Sequence, residues 1–225
     1  AMGTNTDPYQ RCEGKYRLTQ GIVSELSKAA NPFSILTKST LILRDIDLLV
    51  EAAARTSVRA NFSIGTLDKE VWKTTEPGTP HPLRRLEAVA KLNEAGIPCG
   101  VLVAPVLPGL SDRPEQLEAV VKGSVAAGAV SITPIPLHLR PGVKEHYLGW
   151  LLDEHPELIN TYRGLYKGAY TSRRHRDELS ALVRRLVERH GGRRAEPRQA
   201  RSTVRPASRP LARQQTSAQQ LDLGM

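Results

Sequence analysis

The chain has 225 residues, a formal net charge of +9, 40% hydrophobic residues and only 4% aromatic ones. This length predicts one domain with an appendage, and so few aromatic side chains indicate that part of the chain lies outside a core. No apolar run is long enough to cross a bilayer and no signal-peptide pattern is found, so we expect a cytoplasmic protein without a membrane partner. The two cysteines, Cys12 and Cys99, exclude a disulfide framework.

The positive charge is concentrated towards the C-terminal end. Residues 1–155 carry 17 basic and 17 acidic side chains, residues 156–192 carry 8 and 4, and residues 193–225 carry 7 and 2. A basic segment attached to a neutral body predicts a polyanionic partner, with nucleic acid as the first candidate. The alternative is a solvated helix face followed by a disordered tail.

Strand and helix patterns alternate over the first 143 residues. The predicted elements are a strand end at residues 1–3, a helix from about 18 to 30, a strand at 33–37, a helix at about 41–55, a strand from 58, a polar loop, a helix from 82, a strand from 99 to 104, a helix from about 112 to 127 and a strand at 129–133. Pro82 suits a first helical turn, and Gly96 suits a left-handed helix stop. This alternation predicts parallel strands whose carboxyl ends share one face, where α/β proteins usually hold their functional residues.

The remaining residues lack strand patterns. Helices are predicted at about 144–153, 156–167 and 172–190, and the Arg-, Pro- and Gln-rich composition after Gly192 predicts a disordered tail. The predicted domains are therefore a barrel-like α/β part at 1–143, a helical extension at 144–192 and a tail at 193–225.

Polar residues at the predicted strand ends are the candidate site. Lys38 follows a strand, where its ammonium can meet a ligand carboxylate or phosphate, or else form a salt bridge with a neighbouring carboxylate. Ser63 is a small hydroxyl close to the end of the next strand. Neither a dinucleotide-binding GxGxxG nor a GxxxxGK[ST] phosphate loop follows any strand, which disfavours ordinary nucleotide binding.

Two further charged pairs lie close to strand ends. Glu76 and Arg85 flank a loop and can pair with each other to hold it shut, or Arg85 can reach a bound carboxylate. His138 and Arg140 lie in a Pro-rich loop after the last strand, where they can contact a ligand or form hydrogen bonds that order the loop.

Several of these motifs carry a resemblance. The segment SIGTLDKEVWKTTEPGTPHPLRRLEAVAKLNEAGIPCGVLVAPVLPG, with GTNTDPYQ, SILTKST and LHLRPG, resembles the radical S-adenosylmethionine (SAM) proteins related to spore photoproduct lyase, in their bacterial SplB-like branch. The resemblance covers about residues 1–190, with the motifs in the same order. It implies an α/β fold, a partial (β/α) TIM-like barrel, whose top binds SAM against a [4Fe-4S] cluster. That cluster cleaves SAM reductively to a radical that abstracts hydrogen from a substrate.

The resemblance also implies cofactor-binding residues. Thr6 and Asp7 would lie near the amino-acid part of SAM, Lys38, Ser63 and Arg85 would contact its polar groups, and Ala104 and Leu139 would line its adenine side. His138 is a further cofactor-binding candidate because of its place after the last strand.

The chain departs from the family at the cluster. The family binds its cluster with three thiolates in a CxxxCxxC motif, and this sequence has no such motif. We therefore expect the cluster ligands upstream of residue 1, the first βα unit to be missing, and this fragment to be inactive by itself. The related lyases use a cysteine as hydrogen donor at the turn that here holds Thr4; Cys12 is the candidate for that space, or a bystander thiol.

The last residues resemble a known docking peptide. Gln220, Leu221, Asp222 and Leu223 match the Gln-Leu-Asp-Leu-Phe peptide by which bacterial repair proteins bind the sliding clamp, although Gly224 replaces the aromatic anchor. A sliding clamp is therefore a second candidate partner.

The leading hypothesis is a fragment of a lyase-like radical SAM enzyme whose full-length parent acts on nucleic acid. The first alternative is a non-catalytic, degenerate barrel that binds nucleic acid or a protein partner through its basic C-terminal third. The second is a (β/α) barrel lyase or aldolase that uses Lys38 as a Schiff-base amine.

Overall fold

The computed structural model describes residues 1–192. Within this range the chain forms one four-stranded sheet in the order β1-β2-β3-β4, and all neighbouring strands are parallel. The strands are β1 (Phe33–Thr37), β2 (Val58–Ser63), β3 (Cys99–Val106) and β4 (Ile132–Pro136). The predicted α/β architecture with parallel strands is confirmed.

Helices connect the strands and follow the last one. They are α1 (Glu13–Tyr16), α2 (Leu18–Lys28), α3 (Ile46–Ala53), α4 (Lys69–Thr75), α5 (Pro82–Glu94), α6 (Pro114–Ala126), α7 (Val143–Glu154), α8 (Ile159–Leu165) and α9 (Arg173–Arg189), with 3₁₀ turns at Thr40–Asp45 and Pro156–Leu158. Pro82 and Pro114 occupy first-turn positions, where a missing N–H costs little. Gly96 has a φ of +81°, the left-handed conformation predicted for the end of α5.

One face of the sheet carries the main hydrophobic core. Alternate strand residues such as Ile35, Phe62 and Val101 are buried there with residues of α2, α3, α5, α6 and α9. The intervening residues, such as Leu36 and Leu102, point to the opposite face and are only half-buried. The helices therefore cover one side of the sheet, and the carboxyl ends of the strands remain available for a site.

A second, smaller apolar cluster lies beyond the carboxyl ends of β3 and β4. It joins the residues after β3 to α7 and α8, and its buried members are Leu107, Leu110, Leu139, Leu151, Ile159, Tyr162 and Tyr166. By contrast, α9 packs on α6 and β4 and buries Leu179, Val183, Leu186 and Val187 in the main core. The three C-terminal helices thus belong to two clusters, and the predicted boundary between residues 143 and 144 stays a prediction.

Three elements differ from the sequence-based expectation. The last strand covers Ile132–Pro136 instead of 129–133, because β4 lies at the edge of the described sheet, where prolines that lack an N–H are tolerated. The helix expected at 41–55 begins with a 3₁₀ turn. The loop after β2 contains the short helix α4, whose first turn is capped by the Asp68 carboxylate.

The expected strand end at residues 1–3 forms a parallel bridge. Met2 pairs with Ile35 of β1; the Met2 N–H donates to Ser34 O and the Leu36 N–H donates to Met2 O, over 2.8 and 2.9 Å. The first residues therefore pair with β1 in the parallel sense, as the strand pattern predicts.

Over residues 1–192, no helix is both long and apolar enough to cross a membrane. The predicted tail at 193–225 and the peptide Gln220–Leu223 lie outside the described residues.

Candidate functional site

A cavity of about 430 Å³ lies at the carboxyl ends of the strands. Its volume falls within the usual range of small-molecule sites. The lining comes from all four strand ends, the α4 loop, the turn after β3 and α7, and it consists of Lys38, Gly65, Thr66, Thr74, Thr75, Glu76, Pro77, Pro105, Leu107, Ser111, Leu137, His146, Tyr147 and Trp150. The topology thus places the cavity where parallel α/β sheets usually bind ligands.

A row of three charged side chains includes two residues that line this cavity, Lys38 and Glu76, and ends in Arg85 behind them. The Glu76 carboxylate is 2.6 Å from Lys38 Nζ through one oxygen and 2.6 Å from Arg85 Nη2 through the other. The Arg85 side chain is fully buried, Glu76 is 10% exposed and Lys38 is 34% exposed. Glu76 therefore joins a buried cation to one that faces the cavity.

Arg85 holds the loop that leads into α5. Its Nε donates to Pro80 O over 2.8 Å, Nη1 donates to Ser63 O over 2.9 Å, and Nη2 donates to Thr79 Oγ1 over 2.6 Å. Of the two arrangements considered from the sequence, the structure contains the Glu76–Arg85 pair that holds the loop shut. Direct contact between Arg85 and a ligand would require these bonds to be exchanged, and the predicted contact with SAM stays a prediction.

Asp7 connects the N-terminal turn to the end of β1. Its Oδ1 accepts hydrogen bonds from the Tyr9 N–H and the Thr37 hydroxyl over 2.9 and 2.6 Å, and its Oδ2 accepts one from the Lys38 N–H over 2.7 Å. A carboxylate that accepts three such bonds fixes the backbone from which Lys38 projects. Thr6, beside it, is exposed.

The strand ends of β2 and β3 approach closely beside the cavity. A Cβ atom built at Gly65 would lie 2.6 Å from Pro105 O and 3.2 Å from Ala104 O. Only glycine fits this approach without movement of the backbone. Ser63 and Ala104 are buried next to this contact, and they are not among the described lining residues.

Aromatic residues of α7 form a further wall of the cavity. The rings of Tyr147 and Trp150 lie 5.3 Å apart, and Tyr147 packs on Tyr162 at 5.4 Å, with their hydroxyl oxygens 3.0 Å apart. Burial raises the pKa of Tyr147 to about 12, and burial together with the neighbouring Tyr147 raises the pKa of Tyr162 further. These phenols therefore stay protonated at neutral pH.

In the loop after β4, the predicted site residues His138 and Leu139 have different surroundings. Leu139 is buried in the second apolar cluster and its N–H donates to Ala169 O over 2.8 Å. His138 is exposed and its ring meets that of Tyr170 edge-on at 4.7 Å. Partial desolvation of the ring, with the nearby charges of Arg140 and Arg176, lowers the pKa of His138. Neither His138 nor Leu139 is among the described residues that line the cavity, although their neighbour Leu137 is.

Sequence patterns did not single out the α7 wall. Tyr147 and Trp150 are spaced as neighbours on one helix face, but nothing in that spacing tells which surface the face meets. Ser111 also lines the cavity, and its Oγ accepts a hydrogen bond from the Leu107 N–H over 2.9 Å. The second apolar cluster determines which surface these residues face, and local sequence patterns do not reveal that cluster.

The residues do not fit an iron–sulfur cluster. A site-differentiated [4Fe-4S] cluster needs three thiolates, whereas the chain has two cysteines. Cys12 is exposed before α1, and Cys99 is buried in β3, where burial raises its pKa to about 12. Among residues 1–192 no group of three or more His, Cys, Asp or Glu side chains could hold a metal ion.

The fold and the site define a parallel α/β partial barrel with a ligand cavity at the carboxyl ends of its strands. The Radical SAM superfamily matches residues 6–121 of this chain, which is more than half of its length. The chain therefore belongs to the radical SAM superfamily. The family implies SAM and a [4Fe-4S] cluster as cofactors.

Curated relatives are uncharacterised proteins. One from Mycobacterium tuberculosis is 40% identical over 215 residues, which are 94% of this chain and 63% of the relative. Another from Methanocaldococcus jannaschii is 33% identical over 111 residues, 49% of this chain and 41% of the relative. The chain thus spans less than two thirds of the length of these relatives.

Solved structures identify the type of barrel. A double mutant of spore photoproduct lyase with bound AdoMet and dinucleoside spore photoproduct has a TM-score of 0.55 and 20% identity, over 80% of this chain and 55% of the lyase. A cysteine-to-alanine variant of the same enzyme has a TM-score of 0.58 and 17% identity, over 76% of this chain and 52% of that one. The chain therefore has the partial-barrel fold of spore photoproduct lyase, as its sequence motifs indicate.

Proposed function

We propose that this chain supplies the SAM-binding site of a radical SAM enzyme, with SAM in the cavity at the strand ends. The observation that carries this proposal is the pair of opposite charges, Lys38 and Glu76, 2.6 Å apart in a cavity of about 430 Å³. A ligand carboxylate can pair with the ammonium and a ligand ammonium with the carboxylate. This pair suits the amino-acid end of SAM.

Other residues position this pair. Asp7 binds the Lys38 N–H and so fixes the start of its side chain, while Arg85 holds the second oxygen of Glu76. A ligand can then exchange the Lys38–Glu76 contact for two contacts of its own without moving either backbone. Thr6 and Ser63 stay candidates for further polar contacts.

The radical chemistry is proposed for the whole protein. A [4Fe-4S] cluster together with SAM would supply the hydrogen abstraction. Because this chain has only two cysteines, it cannot provide the three thiolate ligands by itself. The contribution of this chain is to bind SAM, to orient its amino-acid end through Lys38 and Glu76, and to exclude water with apolar lining residues such as Leu107 and Leu137.

The proposal is tested by equilibrium binding of SAM to the chain itself. Lys38→Ala should weaken binding about tenfold or more, because a hydrogen bond to a charged group contributes about 1.5–3 kcal/mol. Lys91→Ala, at an exposed position of α5, is the matched control and should bind like the wild type. Wild-type protein that fails to bind SAM, or a Lys38 variant with full affinity, would contradict the proposal.

A Schiff-base role for Lys38 is the weaker alternative. A Schiff base forms from a neutral amine, whereas Lys38 Nζ forms an ion pair with Glu76. Borohydride trapping of a carbonyl compound on Lys38 would favour this alternative over SAM binding.

We propose nucleic acid as the partner of the basic C-terminal third. Exposed arginines on α9 support it, namely Arg173, Arg174, Arg184, Arg185 and Arg189, although three of them, Arg173, Arg174 and Arg189, pair with Asp177, Glu178 and Glu118. Binding to a fluorescent oligonucleotide should weaken steeply with salt, and removal of residues 193–225 should weaken it further. Salt-sensitive binding of DNA without any binding of SAM would instead favour a non-catalytic barrel.

A sliding clamp stays a separate proposal for Gln220–Leu223. Its test is a binding measurement between the full chain and a purified clamp, with Leu221→Ala and Leu223→Ala together as the variant. Equal binding by chain and variant would contradict it.

A further inference from the structure

Two loops that are distant in sequence lie side by side, the loop from β4 to α7 and the loop from α8 to α9. The Leu139 N–H donates to Ala169 O over 2.8 Å, and the Tyr166 hydroxyl donates to Leu137 O over 3.0 Å. A third bond runs from Lys144 Nζ to Tyr166 O over 2.8 Å. Because Leu139 and Tyr166 are buried, these bonds fix the two loops to each other.

Each of the two loops contributes one exposed ring. His138 and Tyr170 are both exposed, Tyr170 to 47%, and their ring centroids lie 4.7 Å apart with the planes inclined by 70°. Neither ring is among the residues that line the cavity at the strand ends. An edge-on pair leaves at least one face of each ring uncovered by the other, so a flat group can stack there.

Two guanidinium groups lie beside these rings. Arg140 is exposed and follows His138 by two positions, while Arg176 Nη1 donates to Thr171 O over 2.5 Å, directly after Tyr170. No carboxylate among residues 1–192 forms an ion pair with either arginine. Partial desolvation, and after it the charges of Arg140 and Arg176, lowers the pKa of His138, so both cations act on the same ring.

The acidic side chains of the adjoining helices have other partners. Glu145 in the first turn of α7 accepts the Gly142 N–H over 2.5 Å. In α9, Asp177 and Glu178 pair with the arginines four positions before them. The positive charge beside the two rings is therefore not neutralised by these carboxylates.

Exposed rings beside unpaired cations are typical of surfaces that bind single-stranded nucleic acid, because bases stack on the rings while the cations contact phosphates. We propose that His138, Arg140, Tyr170 and Arg176 form such a surface, with an unpaired base on Tyr170 and the neighbouring phosphates at the two arginines. This inference rests on the proposed nucleic-acid partner; it gives that partner a binding site outside the cavity and specifies a single strand.

The first test compares a fluorescent single-stranded oligonucleotide with a duplex of the same sequence, each titrated with the 225-residue chain. Tyr170→Ala should weaken binding of the single strand about 5- to 150-fold, the usual range for loss of a ring on which a base stacks. Binding of the duplex should stay unchanged, since its bases are stacked on each other. Tyr170→Phe keeps the ring and should bind like the wild type. Tyr16→Ala, which removes a tyrosine that is 61% exposed, is the matched control.

The second test separates charge from stacking. Each phosphate contact that is lost on a single strand should reduce the slope of log affinity against log salt concentration by about 0.7. Arg140→Ala should show this smaller slope, whereas Tyr170→Ala should bind more weakly with the slope of the wild type. Arg84→Ala, at an exposed position of α5, is the control for the loss of one positive charge and should keep the wild-type slope.

The outcomes distinguish this inference from the proposed partner. A wild-type chain that binds neither oligonucleotide would overturn both. Salt-sensitive binding of the single strand that is unchanged in Tyr170→Ala and Arg140→Ala would overturn the inference and leave the partner in place. Equal losses for single strand and duplex in Tyr170→Ala would also overturn it, because they would indicate a structural role. A selective loss for the single strand, restored in Tyr170→Phe, supports it.

Discussion

Arg85 shows how a single buried side chain can organise a site through its contacts within the protein. Its guanidinium is buried among Glu76, Ser63 O, Thr79 and Pro80 O, and it so joins the end of β2 to the loop before α5. A buried cation needs all of these partners to offset its lost hydration. The position of Glu76, and with it the charge next to Lys38, depends on this one residue.

Replacement of Arg85 by Met should therefore be costly. We expect Arg85→Met to lower the free energy of unfolding by about 3–5 kcal/mol, because the buried Glu76 carboxylate loses its fully buried partner. Urea denaturation measures this change. Arg84→Met, at the exposed neighbouring position, should stay within about 0.5 kcal/mol of the wild type. Similar losses for both variants would contradict this role of Arg85.

The two cysteines should react very differently. Cys12 is exposed, whereas Cys99 is fully buried and burial raises its pKa to about 12. At pH 8 we expect a thiol reagent to label one cysteine per native chain quickly and the second only after unfolding, because the thiolate is the reactive form. Cys12→Ser should abolish the fast phase. Two fast thiols in the native protein would show that Cys99 is accessible.

At the scale of elements, the site depends on how closely β2 and β3 approach each other at their carboxyl ends. The absence of a side chain at Gly65 allows its backbone to pass Pro105 O, and both residues line the cavity. The loop after β2 also contains α4, so this close approach sets the position of the Thr74–Pro77 wall.

Gly65→Ala should disturb the site and the fold together. The added Cβ would meet backbone 2.6 Å away, and we expect a loss of about 1–3 kcal/mol in unfolding free energy together with weaker SAM binding. Gly21→Ala is the matched control in α2, where a Cβ meets nothing within 4 Å. It should stabilise the protein by about 0.5–1 kcal/mol, since alanine is the better helix former. Thermal unfolding compares the two variants, and equal shifts in their melting temperatures would show that the close approach at Gly65 is not needed.

At the scale of the whole molecule, α9 returns to the sheet after α7 and α8 have formed their own cluster. Leu186 of α9 is buried in the main core, and the Glu118 carboxylate of α6 contacts His190 just after α9 over 2.9 Å. The hydrogen bond from His190, and after it the hydrogen bond from Arg189, lowers the pKa of Glu118. The C-terminal helix is thus part of the unit that includes the sheet.

Leu186→Ala tests this integration. We expect a loss of about 2–5 kcal/mol, typical for truncation of a buried leucine, and a single unfolding transition. Arg185→Ala, on the exposed side of the same helix, should change stability by less than about 0.5 kcal/mol. A small effect of Leu186→Ala, or a separate early transition, would indicate that α9 folds apart from the sheet.

Much of the fold could be predicted from local patterns. The alternation at Phe33–Thr37, the proline at the start of α5 and the glycine after it define their elements through neighbouring residues alone. β4 was placed too early because prolines weaken a strand pattern, and only the edge position of β4 explains why they are tolerated. Helix α4 has no buried residues, so it left no apolar periodicity to detect.

The candidate site was only partly predictable. Lys38, Glu76 and Arg85 could be singled out because polar residues after parallel strands share one edge. The sequence left two partners open for Arg85, namely Glu76 and a ligand carboxylate. The path of the loop between β2 and α5 decides between them, and local patterns do not predict that path. The position of Tyr147 and Trp150 could not be predicted. It depends on contacts between α7 and residues more than thirty positions away in the sequence, such as Leu107 and Leu110.

The separation of the two apolar clusters has a consequence for how such a protein can diversify. The floor of the cavity belongs to the sheet, whereas its roof is α7, which packs with α8, Leu107 and Leu110 in the second cluster. Substitutions in the roof can therefore reshape what the cavity accepts while the sheet remains folded. The ion pair of Lys38 and Glu76 lies outside the second cluster, so such substitutions would leave it in place.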